Sequence, residues 1–222
     1  MNLFNKLNSI LKEYSEGNKT SAYKKFKKIY LLNNRDIKLR YNLAVMQQEL
    51  GLLDEAETNY ISLIKHRDES KYNINLYNLY ITKGSYLDAL KIIDSIKSQN
   101  LSLIKVDQDR AYILYLIKNY QDSILQCKEI LIADDNNVHV LNTLGLCFLK
   151  LERYDEANTT LLKAISLDNQ NIVILNSLGR LNHELRKSKK AEGFFDKAFA
   201  LNPNSFETLN NMAGFYLEEE KY

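Results

Sequence analysis

The sequence predicts an all-α protein built from repeated antiparallel pairs of helices, and three features of the chain support this fold class. The C-terminal half repeats itself about every 34 residues, a period typical of helix–turn–helix repeats. The 222 residues include only seven glycines and one proline, so few positions interrupt a helix. Apolar residues recur at helical spacing, as in the stripe formed by Leu141, Leu144 and Phe148.

The repeat is clearest in three segments of the C-terminal half. Leu144-Gly145, Leu178-Gly179 and Met212-Ala213 follow one another at the same interval, as do Ala157 and Ala191. Small residues at these places let the two helices of a pair approach closely, so that larger neighbours interlock. A single pair leaves part of its apolar surface uncovered. Stability therefore depends on contacts with the next pair.

These residues make the chain resemble the tetratricopeptide repeat family. In that family each repeat has small residues on both helices, a glycine and an aromatic residue near the turn, and often a closing proline. Here Tyr154 is the turn aromatic, Ala157 is the small residue that follows it, and Pro203 closes a repeat, while no repeat has the family's tryptophan. The resemblance implies a right-handed α-solenoid (a TPR-like superhelix) whose concave groove is lined by the first helix of each repeat.

Stepping along the period predicts a single solenoid over residues 1–222, with six full repeats and the first helix of a seventh. The earlier repeats each carry marks of the pattern. These marks are Leu7, Ile10 and Phe26 in the first repeat, Ala44, Gly51 and Ala56 in the second, Gly84, Tyr86 and Ala89 in the third, and Ala111, Tyr120 and Ser123 in the fourth. The predicted repeats cover approximately residues 4–36, 37–69, 70–103, 104–137, 138–171, 172–205 and, in part, 206–222.

Composition and motif content favour a folded chain without catalytic chemistry. Apolar residues make up 45% of the chain and the formal net charge is +2, so no overall field favours nucleic acid. There is no glycine-rich phosphate loop, GxSxG or HExxH motif, and no apolar stretch long enough to span a membrane. Cys127 and Cys147 fall at core-facing places. We therefore expect no enzyme activity, no cofactor, no metal, no nucleic-acid partner and a cytoplasmic location.

The resemblance places the partner-binding surface in the concave groove, at the second, fifth, sixth, ninth and twelfth places of each first helix. Asparagines recur at the fifth and sixth places, and an amide can both donate to and accept from a peptide backbone, although simple hydration is an alternative role. The predicted partner-binding residues are Asn42, Asn75, Tyr112, Tyr115, Asn142, Asn176, Arg180, His183 and Asn210. The chain is therefore predicted to be a scaffold or adaptor that binds a protein or an extended peptide.

Three other possibilities remain open from the sequence. A peptide's C-terminal carboxylate would be bound by the first three repeats through Asn8, Lys12, Asn42, Lys71 and Asn75. The chain would instead be the acceptor-recognition part of a longer enzyme, such as a TPR-linked sulfotransferase or glycosyltransferase, if a catalytic domain followed Tyr222. It would act as a homo-oligomeric scaffold if it self-associated, although a monomer is favoured.

Overall fold

The structure is a computed structural model that describes residues 3–67, 69–98 and 104–219. Within these ranges the chain forms thirteen α-helices and no strand, which confirms the predicted all-α class. The helices are α1 (Leu3–Ser15), α2 (Lys19–Leu32), α3 (Ile37–Glu49), α4 (Leu53–His66), α5 (Ser70–Lys83), α6 (Tyr86–Ser98), α7 (Ile104–Leu116), α8 (Tyr120–Ala133), α9 (Val138–Lys150), α10 (Tyr154–Leu167), α11 (Ile172–Glu184), α12 (Ser188–Leu201) and α13 (Phe206–Glu219).

Consecutive helices pack against each other as antiparallel pairs, beginning with α1 and α2, and α13 follows the sixth pair. Helices α9 and α10, for example, have 13 and 14 residues. A helix of this length is marginal in water by itself, so packing between helices supplies most of its stability. The predicted solenoid architecture of about six helix pairs is confirmed by this arrangement.

Close approach within a pair depends on small residues at the contact. A Cβ atom added at Gly145 of α9 would lie 2.6 Å from the side chain of Leu161 on α10. The equivalent Gly179 of α11 lies against the ring of Phe195 on α12 in the same way. Leu161 and Phe195 are both fully buried, so these two contacts set the spacing of their pairs.

The described helices divide into two compact units, an N-terminal unit with α1 to α6 and a C-terminal unit with α7 to α13. The N-terminal unit has one core around Phe26 and another around Tyr60. The main core of the C-terminal unit is centred on α9, where Leu144, Cys147 and Phe148 are buried. That the whole chain forms one continuous solenoid stays a prediction. No helix within the described ranges has the length and apolarity that a membrane span requires.

Candidate partner-binding groove

The first helices of the C-terminal unit form the walls of a pocket of about 590 Å³. Residues of α7, α9, α11 and α13 contribute to it, and we refer to it as the groove pocket. Its lining residues are Lys105, Gln108, Asp109, Tyr112, Tyr115, His139, Val140, Asn142, Thr143, Leu146, Val173, Arg180 and Glu207.

The lining residues follow the helical register. On α7 they stand at the second, fifth, sixth, ninth and twelfth places, which share one face of a helix with 3.6 residues per turn. Four of the predicted binding residues, Tyr112, Tyr115, Asn142 and Arg180, line the pocket. The prediction missed three charged lining residues, Lys105, Asp109 and Glu207, although they stand at the second and sixth places of the same register.

An aromatic platform occupies the α7 side of the groove pocket. The rings of Tyr112 and Tyr115 are stacked, with centroids 5.9 Å apart and an interplanar angle of 25°. Tyr115 also contacts the ring of Tyr120, with a centroid distance of 5.9 Å. Tyr112 is 45% exposed, so much of its ring is accessible to a ligand. Such a surface gives a large contact area at little cost in conformational entropy.

Arg180 supplies an uncompensated charge to the same pocket. The residue is half-buried on α11, and within the described ranges its side chain makes no hydrogen bond or ion pair. The opposite wall carries an internal ion pair, with Lys105 Nζ 3.7 Å from Asp109 Oδ1. A half-buried guanidinium with five free donors is suited to carboxylates and to backbone carbonyls.

Two of the predicted asparagines lie between neighbouring repeats. Asn176 is fully buried, and its Nδ2 donates to Thr208 Oγ1 at 3.0 Å, which links α11 to α13. Asn142 is 7% exposed, and its Oδ1 accepts from Ser177 Oγ at 2.8 Å, which links α9 to α11. The structure therefore places Asn176 out of reach of a partner. Asn142 lines the pocket, but little of its side chain is exposed there.

The last two predicted residues of the C-terminal unit lie outside the groove pocket. His183 lines a separate cavity, where its Nε2 is 3.4 Å from Glu218 Oε2 and its ring meets Phe215 edge-on at 5.2 Å. Asn210 is exposed on α13. Neither residue is brought together with Tyr112 and Arg180 by the fold.

In the N-terminal unit, Asn42 and Asn75 are both half-buried. Asn75 Nδ2 donates to Tyr41 OH at 3.0 Å, which is again a contact between adjacent first helices. Lys71, which the carboxylate-binding hypothesis requires as a free cation, has its Nζ 2.6 Å from Glu69 Oε2. The hydrogen bond from Lys71 holds the pKa of the Glu69 carboxyl below its usual value. A peptide carboxylate would compete with this internal partner.

The two cysteines are placed in the core and not in a cavity. Cys147 Sγ donates to Ser123 Oγ at 3.1 Å, and Ser123 Oγ donates to the carbonyl of Ala111 at 2.7 Å. Burial raises the pKa of the Cys127 thiol to about 12 and that of Cys147 to about 11. A nucleophile or metal ligand must be a thiolate, so neither group is prepared for that chemistry. Within the described ranges no group of three His, Cys, Asp or Glu side chains is placed to hold a metal.

Comparison with known proteins agrees with this architecture. Residues 138–171, which form α9, α10 and the connection that follows, match the family model of the tetratricopeptide repeat. The described helices define a helical-repeat architecture. The chain thus carries one repeat that the family model recognises, and its described helices have the fold of solved tetratricopeptide repeat proteins. No curated protein matches the sequence.

Solved structures of tetratricopeptide repeat proteins have the same fold at low sequence identity. A tetratricopeptide repeat protein from Parabacteroides merdae superposes with a TM-score of 0.86 at 17% identity, over 96% of this chain and 85% of that chain. PilF from Pseudomonas aeruginosa gives 0.66 at 16%, over 94% and 95%. YrrB, described as a TPR protein with an unusual peptide-binding site, gives 0.58 at 16%, over 85% and 97%.

Proposed function

We propose that this protein is a non-catalytic scaffold or adaptor that binds an extended segment of a partner protein in the groove pocket. The observation that carries the proposal is the combination of Tyr112 and Arg180 in one open pocket. Tyr112 presents an exposed ring, and Arg180 presents a guanidinium without an internal partner. Aromatic and arginine side chains in such pockets commonly dominate the affinity of protein interfaces.

The shape of the groove pocket favours a short extended segment over a small metabolite. Four helices contribute to the pocket, so a ligand that fills it must cross several repeats. Its volume of about 590 Å³ is enough for a few residues of peptide. The lining mixes the aromatic platform with both signs of charge, from Lys105 and Glu207 among others. A peptide offers matching apolar, carbonyl and charged groups, whereas a uniformly charged ligand would meet groups of its own sign.

The proposal is tested with a peptide that is selected for binding to this protein. A displayed library of random peptides is selected on the purified chain, and the affinity of the best peptide is measured by isothermal titration calorimetry. We expect Tyr112→Ala and Arg180→Ala each to weaken binding by about tenfold, since hot-spot residues contribute roughly 1–2 kcal/mol.

The matched control variants are Leu125→Ala and Lys128→Ala on α8, two exposed side chains that do not line the groove pocket. We expect these variants to bind the selected peptide as the unmodified chain does. If the peptide were equally well bound by the Tyr112 and Arg180 variants, the binding surface would lie elsewhere and the proposal would be wrong.

We also propose that the chain works as a monomer in the cytoplasm. The two free, buried cysteines support a reducing compartment, in which no disulfide is required. Light scattering is expected to give the monomer mass at every concentration measured, and a fluorescent fusion is expected to remain in the cytoplasm. A mass that rises with concentration would instead support the homo-oligomeric scaffold.

A further inference from the structure

Another cavity, of about 460 Å³, lies on the C-terminal unit and is lined by residues of α10, α11 and α12 and the turn before α12. It shares no lining residue with the groove pocket. We call it the lysine pocket. Its lining residues are Asn158, Leu162, Leu178, Asn182, Lys187, Lys189, Lys190, Gly193, Phe194 and Lys197.

Four of the ten lining residues are lysines, and none is acidic. All four side chains are exposed, and within the described ranges none of them has a hydrogen bond or an ion pair. Elsewhere on the C-terminal unit lysines do find carboxylates, as Lys163 does with Asp135 at 2.9 Å. Lys197 Nζ lies 5.9 Å from the centroid of the Phe194 ring, but none of the four lysines has a carboxylate partner within the described ranges. Four such positive charges around one cavity repel each other, and a bound anion would relieve that repulsion.

The floor of the lysine pocket is apolar. Leu178 of α11 is fully buried beneath it, Leu162 of α10 is 46% exposed beside it, and Phe194 of α12 is half-buried. Asn158 is also half-buried, and its side-chain amide has no hydrogen bond within the described ranges. The pocket thus combines a surface for an apolar side chain, an amide for a peptide group and a cationic rim.

Gly193 leaves the wall of the lysine pocket open. It lies inside α12, where glycine is less favourable than alanine. A Cβ atom added at Gly193 would have no neighbour within 4 Å, so helix packing does not require a glycine there. Gly179, by contrast, is needed for contact with Phe195. A larger residue at 193 would project into space that a ligand could occupy.

We propose that the lysine pocket binds an acidic segment of a partner protein, with one apolar side chain inserted between flanking carboxylates. The apolar side chain lies on Leu162 and Phe194, and the carboxylates are paired with the lysine rim. This site is independent of the groove pocket and does not rest on the function proposed for it.

The surroundings favour a short acidic peptide over a long polyanion. Asp155 lies in the first turn of α10 and Asp196 is exposed on α12, so a nucleic acid extending past the pocket would meet negative charge. The rim also has no arginine, the residue whose planar fork suits phosphate groups. Lysines are point charges that adapt to carboxylates at variable positions.

The test uses the full chain and an unlabelled, acetylated peptide that has one leucine between two pairs of glutamates. Binding is measured by isothermal titration calorimetry at low and at physiological salt, because exposed charge pairs weaken as salt rises. We expect Lys190→Gln/Lys197→Gln to weaken binding at least about tenfold, and Gly193→Phe to weaken it comparably by filling the cavity. The control variant Lys24→Gln/Lys28→Gln removes two exposed lysines of α2 with the same change in net charge.

The expected result is that the control variant and the unmodified chain bind the leucine peptide with equal affinity. A peptide with serine in place of leucine is expected to bind at least about tenfold more weakly. The proposal is overturned if the control variant loses as much affinity as the pocket variant, if the serine peptide binds as well, or if no heat of binding is seen. The proposal is also overturned if oligo-dT or phosphatidylserine vesicles displace the peptide from the unmodified chain and bind the pocket variants more weakly than the unmodified chain. The site would then bind a different class of ligand.

Discussion

Asn176 Nδ2 donates a hydrogen bond of 3.0 Å to Thr208 Oγ1, and both side chains are fully buried. Thr208 Oγ1 donates in turn to Ser205 Oγ at 3.0 Å, at the start of α13. The buried asparagine therefore links α11 and α13, the first helices of two successive repeats. One repeat earlier, the contact between Ser177 and Asn142 has the same role. A residue type that suits peptide binding is used here for the contact between repeats.

This geometry predicts that Asn176→Ala lowers stability. The substitution leaves the buried Thr208 hydroxyl without its donor and opens a small void, and we expect the free energy of unfolding to fall by about 1–3 kcal/mol. The measurement is the urea midpoint followed by circular dichroism. Asn210→Ala, at the same place in the next repeat but exposed, is the control and is expected to change the stability by less than about 0.5 kcal/mol. Equal midpoints for the two variants would contradict the structural role of Asn176.

A second prediction concerns Gly179. A methyl group there would overlap the Phe195 ring, which is 1% exposed and has no room to move aside. We expect Gly179→Ala to destabilise the chain by about 1–3 kcal/mol, and the added substitution Phe195→Leu to recover part of that loss. The control is Gly193→Ala on α12, which should be neutral or stabilising by up to about 1 kcal/mol because nothing opposes its Cβ. Destabilisation by both alanines to the same extent would mean that contact with Phe195 is not the cause.

The thiols provide a third prediction. Burial raises the pKa of Cys127 to about 12 and that of Cys147 to about 11, against an ordinary value of 9.0, so both groups stay protonated at neutral pH. We expect a thiol reagent at pH 8 to modify the folded chain at least about 100-fold more slowly than the chain in urea, because only the thiolate reacts. Comparing the Cys127→Ala variant with the Cys147→Ala variant shows which of the two thiols is modified. Rapid modification of either cysteine without urea would place that thiol at the surface.

Alkaline pH is expected to weaken the N-terminal unit through Tyr14. Burial of the ring and its hydrogen bond to Glu49 Oε2, 2.9 Å long, raise the pKa of Tyr14 from 10.0 to about 12. The fold favours the neutral phenol, so this contribution is complete below pH 10 and is lost as the pH rises through about 12. The urea midpoints of the unmodified chain and of Tyr14→Phe are compared at pH 9 and at pH 11.5. The difference between the two proteins should shrink at the higher pH, and an unchanged difference would show that Tyr14 is not responsible.

Much of the fold could be predicted from the residues alone. The interval from Leu144-Gly145 to Leu178-Gly179 indicated the helix pairs, and the apolar stripes indicated which face of each helix is buried. The same register placed Tyr112 and Arg180 on the face that lines the groove pocket. The lysine pocket could not be predicted in this way, because Leu162 and Lys197 stand on different helices and no periodic pattern relates them.

By itself, the sequence determined the helix pairs and their faces, since the spacing of apolar and small residues is a local property of the chain. Only the tertiary structure decided which side chains at equivalent places are covered. Asn176 and Asn210 occupy the same place in successive repeats, yet Asn176 is buried and hydrogen-bonded to Thr208 of α13, whereas Asn210 is exposed. The physical reason is that burial and hydrogen bonding depend on the side chains that the neighbouring helix presents, which a pattern within one helix does not specify.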